Sequence, residues 1–549
     1  MTKRAPWSWP RAWPVGRTAG LLAALVLVGA GCGGPAPRQP PASGAATARS
    51  AAARVAGDKL IAGAVSALAR LDDFDEQRAY EQAFDRLSQW GHLTSAEAAG
   101  WRIDPLVSTL RDDLRSGLDS ALEQRLFDAG GDVIAVRDRR WLADIANSVR
   151  GDAIDDIDVA RNLFEWTIRS LAIVSDPPMV PSTETPGTRW FLPGEVLLSG
   201  RASAAQRAWI FIELLQQAGL DGVMLATGDA AAGKARPWLP AIVTGGEAYL
   251  FEPTYGMPVP GPNGAGVATA RQAAADPAIL EALSLPDRPY PVKSADVASL
   301  SVLVVADPWS LSRRMAALDK DCVAKHGMRL AVDADALGAR AAAGLPGVDA
   351  RVVLWEFPWE TVVRRRAAST APVVARELAP LAVTYAEPRR GERQEIRLIR
   401  PLFTARVREF RGDLDGPEGA KAAYLAARPS KAVIQQAVQA APPPQADAVE
   451  RLYRRMKEDA TYWLGVVTLA EGENEAAVDY LQRMTLETSP DSRWTDAARA
   501  NLGRALAALG RIDEAVKVLG EDGSPQRFGS RLLADRLEKT NAEGVKEGD

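Results

Sequence analysis

Cysteine is scarce in this chain, since only Cys32 and Cys322 occur in 549 residues. Hydrophobic cores rather than a disulfide framework therefore have to stabilise the fold. A chain of this length exceeds what a single core usually serves, so we expect about three domains. The apolar fraction of 47% and the charged fraction of 25% are typical of globular domains and provide enough apolar surface for such cores.

Charge and motif content exclude several classes of ligand. The net charge is −4 and no basic tract follows the amino-terminal leader, so we expect no nucleic-acid partner. Beyond the leader, no apolar run approaches the roughly 20 residues that a helix needs to cross a bilayer. The glycine- and proline-rich stretch 256–266 lacks the lysine and the spacing of a phosphate-binding loop. We therefore predict no cofactor and no metal site.

The amino terminus has the pattern of a secretion signal. Its basic residues are Lys3, Arg4, Arg11 and Arg17. The apolar run 21–28 has the length of a signal-peptide core and is too short for a bilayer span. The segment Val28-Gly29-Ala30-Gly31-Cys32 resembles the lipobox of bacterial lipoproteins, although Gly29 stands where that family usually has leucine. The resemblance implies that residues 1–31 are a removable signal peptide and that Cys32 then carries lipid.

A lipid on Cys32 would make this an exported protein, anchored to a bacterial membrane and facing the periplasm or the exterior. Cys322 would then have no partner for an intrachain disulfide bond. Residues 32–56 are rich in Pro, Ala, Gly and Ser and have few bulky side chains, so we predict a flexible tether. The alternative is an ordinary signal peptide followed by an incidental cysteine.

Beyond the tether, the hydrophobic pattern predicts a multidomain α+β protein. Residues 57–150 have apolar residues at helical spacing and form an amino-terminal helical region. Residues 151–290 mix helices with short strands, and residues 297–410 form a second α+β region. Residues 445–540 are helical and follow a stiff break at Pro442-Pro443-Pro444.

The carboxyl-terminal region contains an internal repeat. Leu464-Gly465 and Leu502-Gly503 are 38 residues apart, and so are Gly472 and Gly510. This pattern resembles the tetratricopeptide repeat, whose usual period is about 34 residues. The resemblance implies paired helices and a concave surface that binds protein. A plain helical bundle is the alternative.

The central region has two helices followed by short strands. The first helix is predicted over 157–173, and the second begins after the capping residue Ser203 and ends at Gly219. The predicted strands are 223–226, 238–243 and 249–251. This order resembles the transglutaminase-like fold, a relative of the papain-like cysteine proteases, over most of residues 151–290.

In that family a cysteine opens the second helix, a histidine lies on a following strand, and an aspartate before Pro-Thr orients the histidine. The matching positions here hold Ala204, Arg236 and Glu252. The resemblance therefore implies a domain that lacks the Cys/His pair, which is a pseudoenzyme. We expect Glu252 to pair with Arg236 across the former catalytic site.

A second candidate nucleophile lies at the same helix start. Ser203, with Lys234 as its base, would make the domain a hydrolase or acyltransferase, since both histidines, His92 and His326, lie outside this region. A purely capping role for Ser203 is the competing interpretation. Cys322 and His326 share a helix face, but two such residues do not form a zinc site, and packing explains them better.

Three functions fit these patterns. The first is a non-catalytic cell-envelope lipoprotein that binds a protein or peptide, with Trp190, Trp209 and Trp238 as anchors beside the presumed cleft. The second is an enzyme with Ser203 as its nucleophile. The third is an assembly scaffold in which only the repeats bind. We favour the first because it explains every departure from the catalytic pattern, although the same tryptophans would also suit a core.

Overall fold

The computed structural model describes residues 42–73, 75–94, 100–116, 118–175, 190–228, 235–347, 350–366, 370–388 and 396–548. The predicted signal peptide, Cys32 and Lys234 lie outside these residues. The prediction of an α+β protein is confirmed, because helices and β-sheets both occur. Within the described ranges, none of the helices is long and apolar enough to cross a bilayer.

The amino-terminal region is helical, as predicted. Its helices are α1 (Ala42–Ala69), α2 (Glu76–Thr94), α3 (Asp112–Arg115), α4 (Leu118–Glu123) and α5 (Gly131–Arg150). The prediction of a tether over residues 32–56 is wrong from Ala42 onward, because α1 begins there. Alanine has a high helix propensity and no proline follows Pro41 in this segment, so its composition suits a helix. Ile61 and Leu68 of α1 share a buried cluster with Leu87 of α2.

The central region contains both helices predicted from the sequence. Its helices are α6 (Asp156–Ser170), α7 (Pro193–Ser199), α8 (Ala204–Gln217), α9 (Ala270–Ala275) and α10 (Pro277–Glu281). Its strands are β1 (Ala172–Ile173), β2 (Arg201–Ala202), β3 (Asp221–Thr227), β4 (Arg236–Thr244), β5 (Glu247–Glu252) and β6 (Met257–Pro258). Gly219 follows α8 with a φ of 82°, which glycine adopts readily at a helix end. The predicted strands correspond to β3, β4 and β5.

One sheet joins the two α+β regions. Its strand order is β6-β5-β4-β3-β7-β8, in which β7 spans Ser301–Val304 and β8 spans Val352–Leu354. Neighbouring strands are antiparallel except β7 and β8. Met224 of β3 lies opposite Leu303 of β7, so the second α+β region extends the sheet of the first. Helix α8 packs against β3 and β4.

The segment from residue 294 to residue 440 adds further helices. They are α11 (Ser294–Val297), α12 (Arg313–His326), α13 (Ala334–Ala343), α14 (Glu356–Arg365), α15 (Thr370–Leu378), α16 (Pro401–Arg411), α17 (Ala420–Ala426) and α18 (Lys431–Ala440). Of these, α13 packs against β3, β7 and β8. An antiparallel pair of strands, β9 (Tyr385–Pro388) and β10 (Ile396–Ile399), precedes α16.

The carboxyl-terminal region consists of paired helices. They are α19 (Ala446–Ala470), α20 (Asn474–Val478) with the π-helical segment Asp479–Glu487, α21 (Thr495–Ala508), α22 (Ile512–Gly520) and α23 (Arg527–Gly548). A Cβ atom on Gly465 would lie 2.7 Å from Leu481, and one on Gly503 would lie 2.5 Å from Leu519. These equivalent contacts recur at the spacing found in the sequence. Glycine therefore lets the helices of both pairs approach closely.

The carboxyl-terminal helices share a core with the central region. The largest hydrophobic cluster includes Phe211 of α8, Phe410 of α16 and Trp463 of α19. The Trp463 ring lies against Gly200, where any Cβ atom would overlap it, and the Arg406 guanidinium lies 3.7 Å from the ring centroid. The paired helices are therefore part of one packed body and not a separate module.

Replacing Gly503 with alanine should destabilise the protein, whereas the same change at Gly520 should not. The new methyl group at position 503 would press on Leu519, and overpacking of this kind costs about 1–3 kcal/mol. A Cβ atom on Gly520 has no neighbour within 4 Å, and alanine favours a helix by about 0.5–1 kcal/mol relative to glycine. Chemical denaturation of both variants measures the difference. Equal stability of the two variants would contradict the close helix approach.

Candidate functional site

The predicted nucleophile position lies at the start of α8, where the side chains cap the helix. The Ser203 hydroxyl accepts a hydrogen bond from the Gln206 backbone N–H at 3.2 Å, and Gln206 Oε1 accepts one from the Ser203 N–H at 3.0 Å. This capping box satisfies two N–H groups that the helix leaves unpaired. Ala204 follows with no functional group. The start of α8 therefore presents a buried cap instead of an activated nucleophile.

Arg207, one turn into α8, is buried and donates to four oxygen atoms. Its Nε donates to the Leu171 carbonyl at 2.8 Å and its Nη2 to the Ile168 carbonyl at 3.4 Å, both at the end of α6. Its Nη1 donates to the Pro253 carbonyl at 2.9 Å and to Gln526 Oε1 at 2.8 Å. The last carbonyls of a helix carry the negative end of its dipole, so they suit a cation. Burial lowers the pKa of Arg207.

Glu252 ends β5 and is buried beside a tyrosine. Its carboxylate accepts hydrogen bonds from the Tyr290 hydroxyl at 2.5 Å and from the Thr254 N–H at 2.9 Å. Burial raises the pKa of Glu252. Arg236 is exposed at the first position of β4. The prediction that Glu252 pairs with Arg236 is therefore wrong. Neutral donors satisfy the buried carboxylate, and the exposed arginine keeps its charge in water.

The first turn of α23 covers the turn that follows β5. The Phe528 ring lies 6.1 Å from the Tyr255 ring. Gly529 permits this approach, since a Cβ atom there would overlap the Tyr255 carbonyl. Together with the contact between Gln526 and Arg207, this packing closes the site between α8 and β5 with the protein's own carboxyl-terminal segment.

Among the residues that the structure describes, which do not include Lys234, no base is hydrogen-bonded to Ser203. Catalysis of this kind requires a nucleophile within about 2.6–3.2 Å of its base. Ser203 belongs to the helix cap, and the two histidines lie on other helices, His92 on α2 and His326 on α12. The polar side chains near the start of α8 bind one another and hold the helix, the sheet and the carboxyl terminus together.

Trp209 belongs to the core and not to a cleft. It is fully buried in a cluster with Met224 of β3 and Leu303 of β7, and its Nε1 donates to Glu213 at 2.7 Å. Glu213 also pairs with the buried Arg139. The anchor role that we predicted for Trp209 is wrong, because its helix face packs on the sheet, where no partner reaches it.

Trp190 and Trp238 have partly exposed side chains. Trp190 lies three residues before Pro193, the first residue of α7. Trp238 lies on β4, and its Nε1 donates to the Tyr290 hydroxyl at 3.1 Å. Because Tyr290 in turn donates to Glu252, a chain of two hydrogen bonds links Trp238 to the end of β5.

Cys322 lies on α12 and is buried in the core, which confirms that it packs. Burial raises the pKa of its thiol to about 12, so the reactive thiolate does not form near neutral pH. Among the residues that the structure describes, no group of three or more His, Cys, Asp or Glu side chains is placed to hold a metal ion.

Sequence reasoning missed Arg207 and Gln526. The position of Arg207 could have indicated its role, because it directly precedes the apolar run 208–212 of α8. A charged residue in such a place is buried only if it is well paired. Gln526 carries no local signal, since it lies 319 residues further along the chain. Contacts of this range depend on the tertiary fold.

No family model matches the chain, and no curated protein and no solved structure shows significant similarity to it. The resemblances to lipoproteins, transglutaminase-like domains and tetratricopeptide repeats therefore stay predictions. Any function assigned to the chain rests on its own residues and their contacts.

Replacing Arg207 with methionine should destabilise the protein far more than the same change at Arg236. Arg207→Met leaves the buried carbonyls at the end of α6 and after β5 without their donors, and each unsatisfied acceptor costs about 1–3 kcal/mol. We expect the free energy of unfolding, measured by chemical denaturation, to fall by about 3 kcal/mol or more. Arg236→Met, at an exposed position, should change it by less than about 0.5 kcal/mol. Similar losses for both variants would show that Arg207 has no special role.

Proposed function

We propose that this protein is a non-catalytic lipoprotein of a bacterial cell envelope that binds a protein or peptide partner. The observation that carries the proposal is that the side chains at the catalytic positions serve structure. Ser203 caps α8, and Glu252 accepts a hydrogen bond from Tyr290. Ala204 supplies no nucleophile, and Arg236 is exposed. A degenerate transglutaminase-like domain would keep its shape without its chemistry.

The placement of α8 supports the transglutaminase-like part of the proposal. This helix packs against β3 and β4, and Arg207 near its start reaches the Pro253 carbonyl just after β5. In the transglutaminase-like fold, the nucleophile's helix likewise meets the strands that carry the base and its orienting residue. Ala204 and Glu252 lie on such neighbouring elements, as the resemblance implies.

Two features support a binding role. Trp190 and Trp238 are partly exposed, and aromatic side chains of this kind often anchor peptides. The paired helices from α19 to α22 resemble units that bind proteins, and the recurring contacts of Gly465 and Gly503 support that resemblance. The partner would therefore contact the central region, the paired helices, or both.

An assembly scaffold in which only the paired helices bind is the second candidate. The shared core favours the first candidate, because α19 and α21 pack against the central region and do not form an independent unit. Deletion from Asp447 onward would remove buried residues such as Tyr462 and Trp463 and expose the core of the remainder. Point substitutions are therefore needed to separate the two candidates.

Trp238→Ala should weaken partner recovery. Cells that produce the full chain are treated with a cross-linker, and the proteins recovered with the chain are quantified. Loss of an anchoring aromatic ring costs about 1 kcal/mol or more, which corresponds to a roughly fivefold loss of affinity. Trp238→Phe is the matched control, since it keeps a ring and loses only the hydrogen bond to Tyr290.

Unchanged recovery by a folded Trp238→Ala variant would favour the scaffold. Turnover of an activated ester by the wild-type chain, abolished by Ser203→Ala, would refute the non-catalytic part of the proposal. We expect neither protein to exceed the background rate, because Ser203 has no base within reach among the described residues.

The lipid anchor on Cys32 predicts a change of solubility. In Triton X-114 phase separation, the wild-type chain should enter the detergent phase and Cys32→Ser the aqueous phase, because the serine hydroxyl cannot form the thioether that holds the lipid. Cys322→Ala is the control and should stay in the detergent phase, since Cys322 is a buried core residue. Detergent partitioning of Cys32→Ser would show that Cys32 is not the attachment site.

A further inference from the structure

A cavity of about 270 Å³ lies between α5, α6, α16 and α19, away from the former catalytic position. Its lining includes Asn162, Glu165, Trp166, Arg169, Glu409 and Phe410. Its volume is slightly below the range of roughly 300–1,000 Å³ typical of drug-sized ligands, so a smaller molecule fits it.

The cavity has an apolar floor and a polar mouth. Trp166, Phe410 and Val466 are buried and form part of the floor. Asn162 and Glu165 are exposed and lie at the mouth. A ligand that fits both surfaces has an apolar body and a polar end.

Arg169 is the basic side chain in this lining, and its hydrogen bonding is incomplete. Its side chain is only 14% exposed, and its Nε is buried without a hydrogen-bond partner in the described part of the chain. Its Nη1 donates to Glu165 at 3.3 Å, but the Glu165 side chain is 65% exposed, so the pair is weak. Burial also lowers the pKa of Arg169. A buried guanidinium with a spare donor favours an anionic acceptor.

The other charges at the cavity restrict which anion can bind. Glu409 also lines the cavity, but its carboxylate already accepts hydrogen bonds from Arg406 and Tyr424. Together with Glu165 it keeps negative charge close to Arg169. A dianionic phosphate would meet more repulsion there than a single carboxylate.

We propose that this cavity binds a small amphipathic carboxylate. The carboxylate group accepts hydrogen bonds from Arg169 in place of Glu165, and the aliphatic part lies on the floor formed by Trp166, Phe410 and Val466. This is a small-molecule site, separate from the partner-binding role proposed above. No bond is made or broken on binding.

Octanoate is the probe, titrated by calorimetry into the full chain carrying Cys32→Ser without detergent. We expect saturable one-to-one binding of octanoate, and at least tenfold weaker binding of octanol, which has the same chain length and no charge. A tenfold difference corresponds to about 1.4 kcal/mol, just below the usual contribution of a hydrogen bond to a charged group. Equal affinity for the two ligands would overturn the role of Arg169.

Three substitutions test the geometry. Arg169→Gln should lower octanoate affinity at least tenfold, whereas Arg161→Gln, on the same helix with a side chain 57% exposed, should leave it unchanged. Glu165→Gln should tighten binding severalfold, because it removes the group that competes for Arg169. Ala470→Trp, at an exposed lining position, should block the mouth and abolish binding.

Folding of each variant is checked by circular dichroism. If Arg169→Gln does not fold, Glu165→Gln and Ala470→Trp still decide the matter, since both change exposed positions. Weaker binding by Glu165→Gln, undiminished binding by Ala470→Trp, or no saturable octanoate binding by the folded chain that carries only Cys32→Ser would each overturn the proposal.

Discussion

The guanidinium of Arg207 holds together the elements on which the rest of the central region depends. A buried cation is stable only if its donors find acceptors, and here the acceptors come from the end of α6, from the carbonyl after β5 and from Gln526. These elements are far apart along the chain. The Arg207 side chain therefore links α6, the turn after β5 and the segment that contains Gln526 to the start of α8.

Satisfied polar groups also characterise the start of α8 and the end of β5. A catalytic group has to keep part of its hydrogen-bonding capacity for the substrate. The Ser203 hydroxyl accepts a hydrogen bond within the helix cap, and the Glu252 carboxylate accepts one from the Tyr290 hydroxyl. Arg169, on α6, is the opposite case, because its Nε has no partner among the described residues. Its guanidinium therefore keeps a donor that a ligand can use.

Local features of the fold were predictable from the sequence because short-range chemistry determines them. Ser203 caps its helix, Gly219 ends it, and β3, β4 and β5 lie at the three segments predicted as strands. The pairing of β3 with β7 was not predictable, since strand order depends on contacts between distant residues. The sequence left open whether Trp209 lies in a core or beside a cleft, because a tryptophan suits both, and only the packed structure shows that it is buried.

The sequence by itself determined the helical and strand segments, the recurring glycines of the paired helices and the absence of a cysteine or histidine at positions 204 and 236. Those features depend on residue type and short spacing alone. Only the tertiary structure decided that the two α+β regions share one sheet, that Gln526 contacts Arg207 near the start of α8, and that Arg169 faces a cavity. Each of these depends on which distant surfaces exclude water together, and that is a property of the packed chain and not of any local segment.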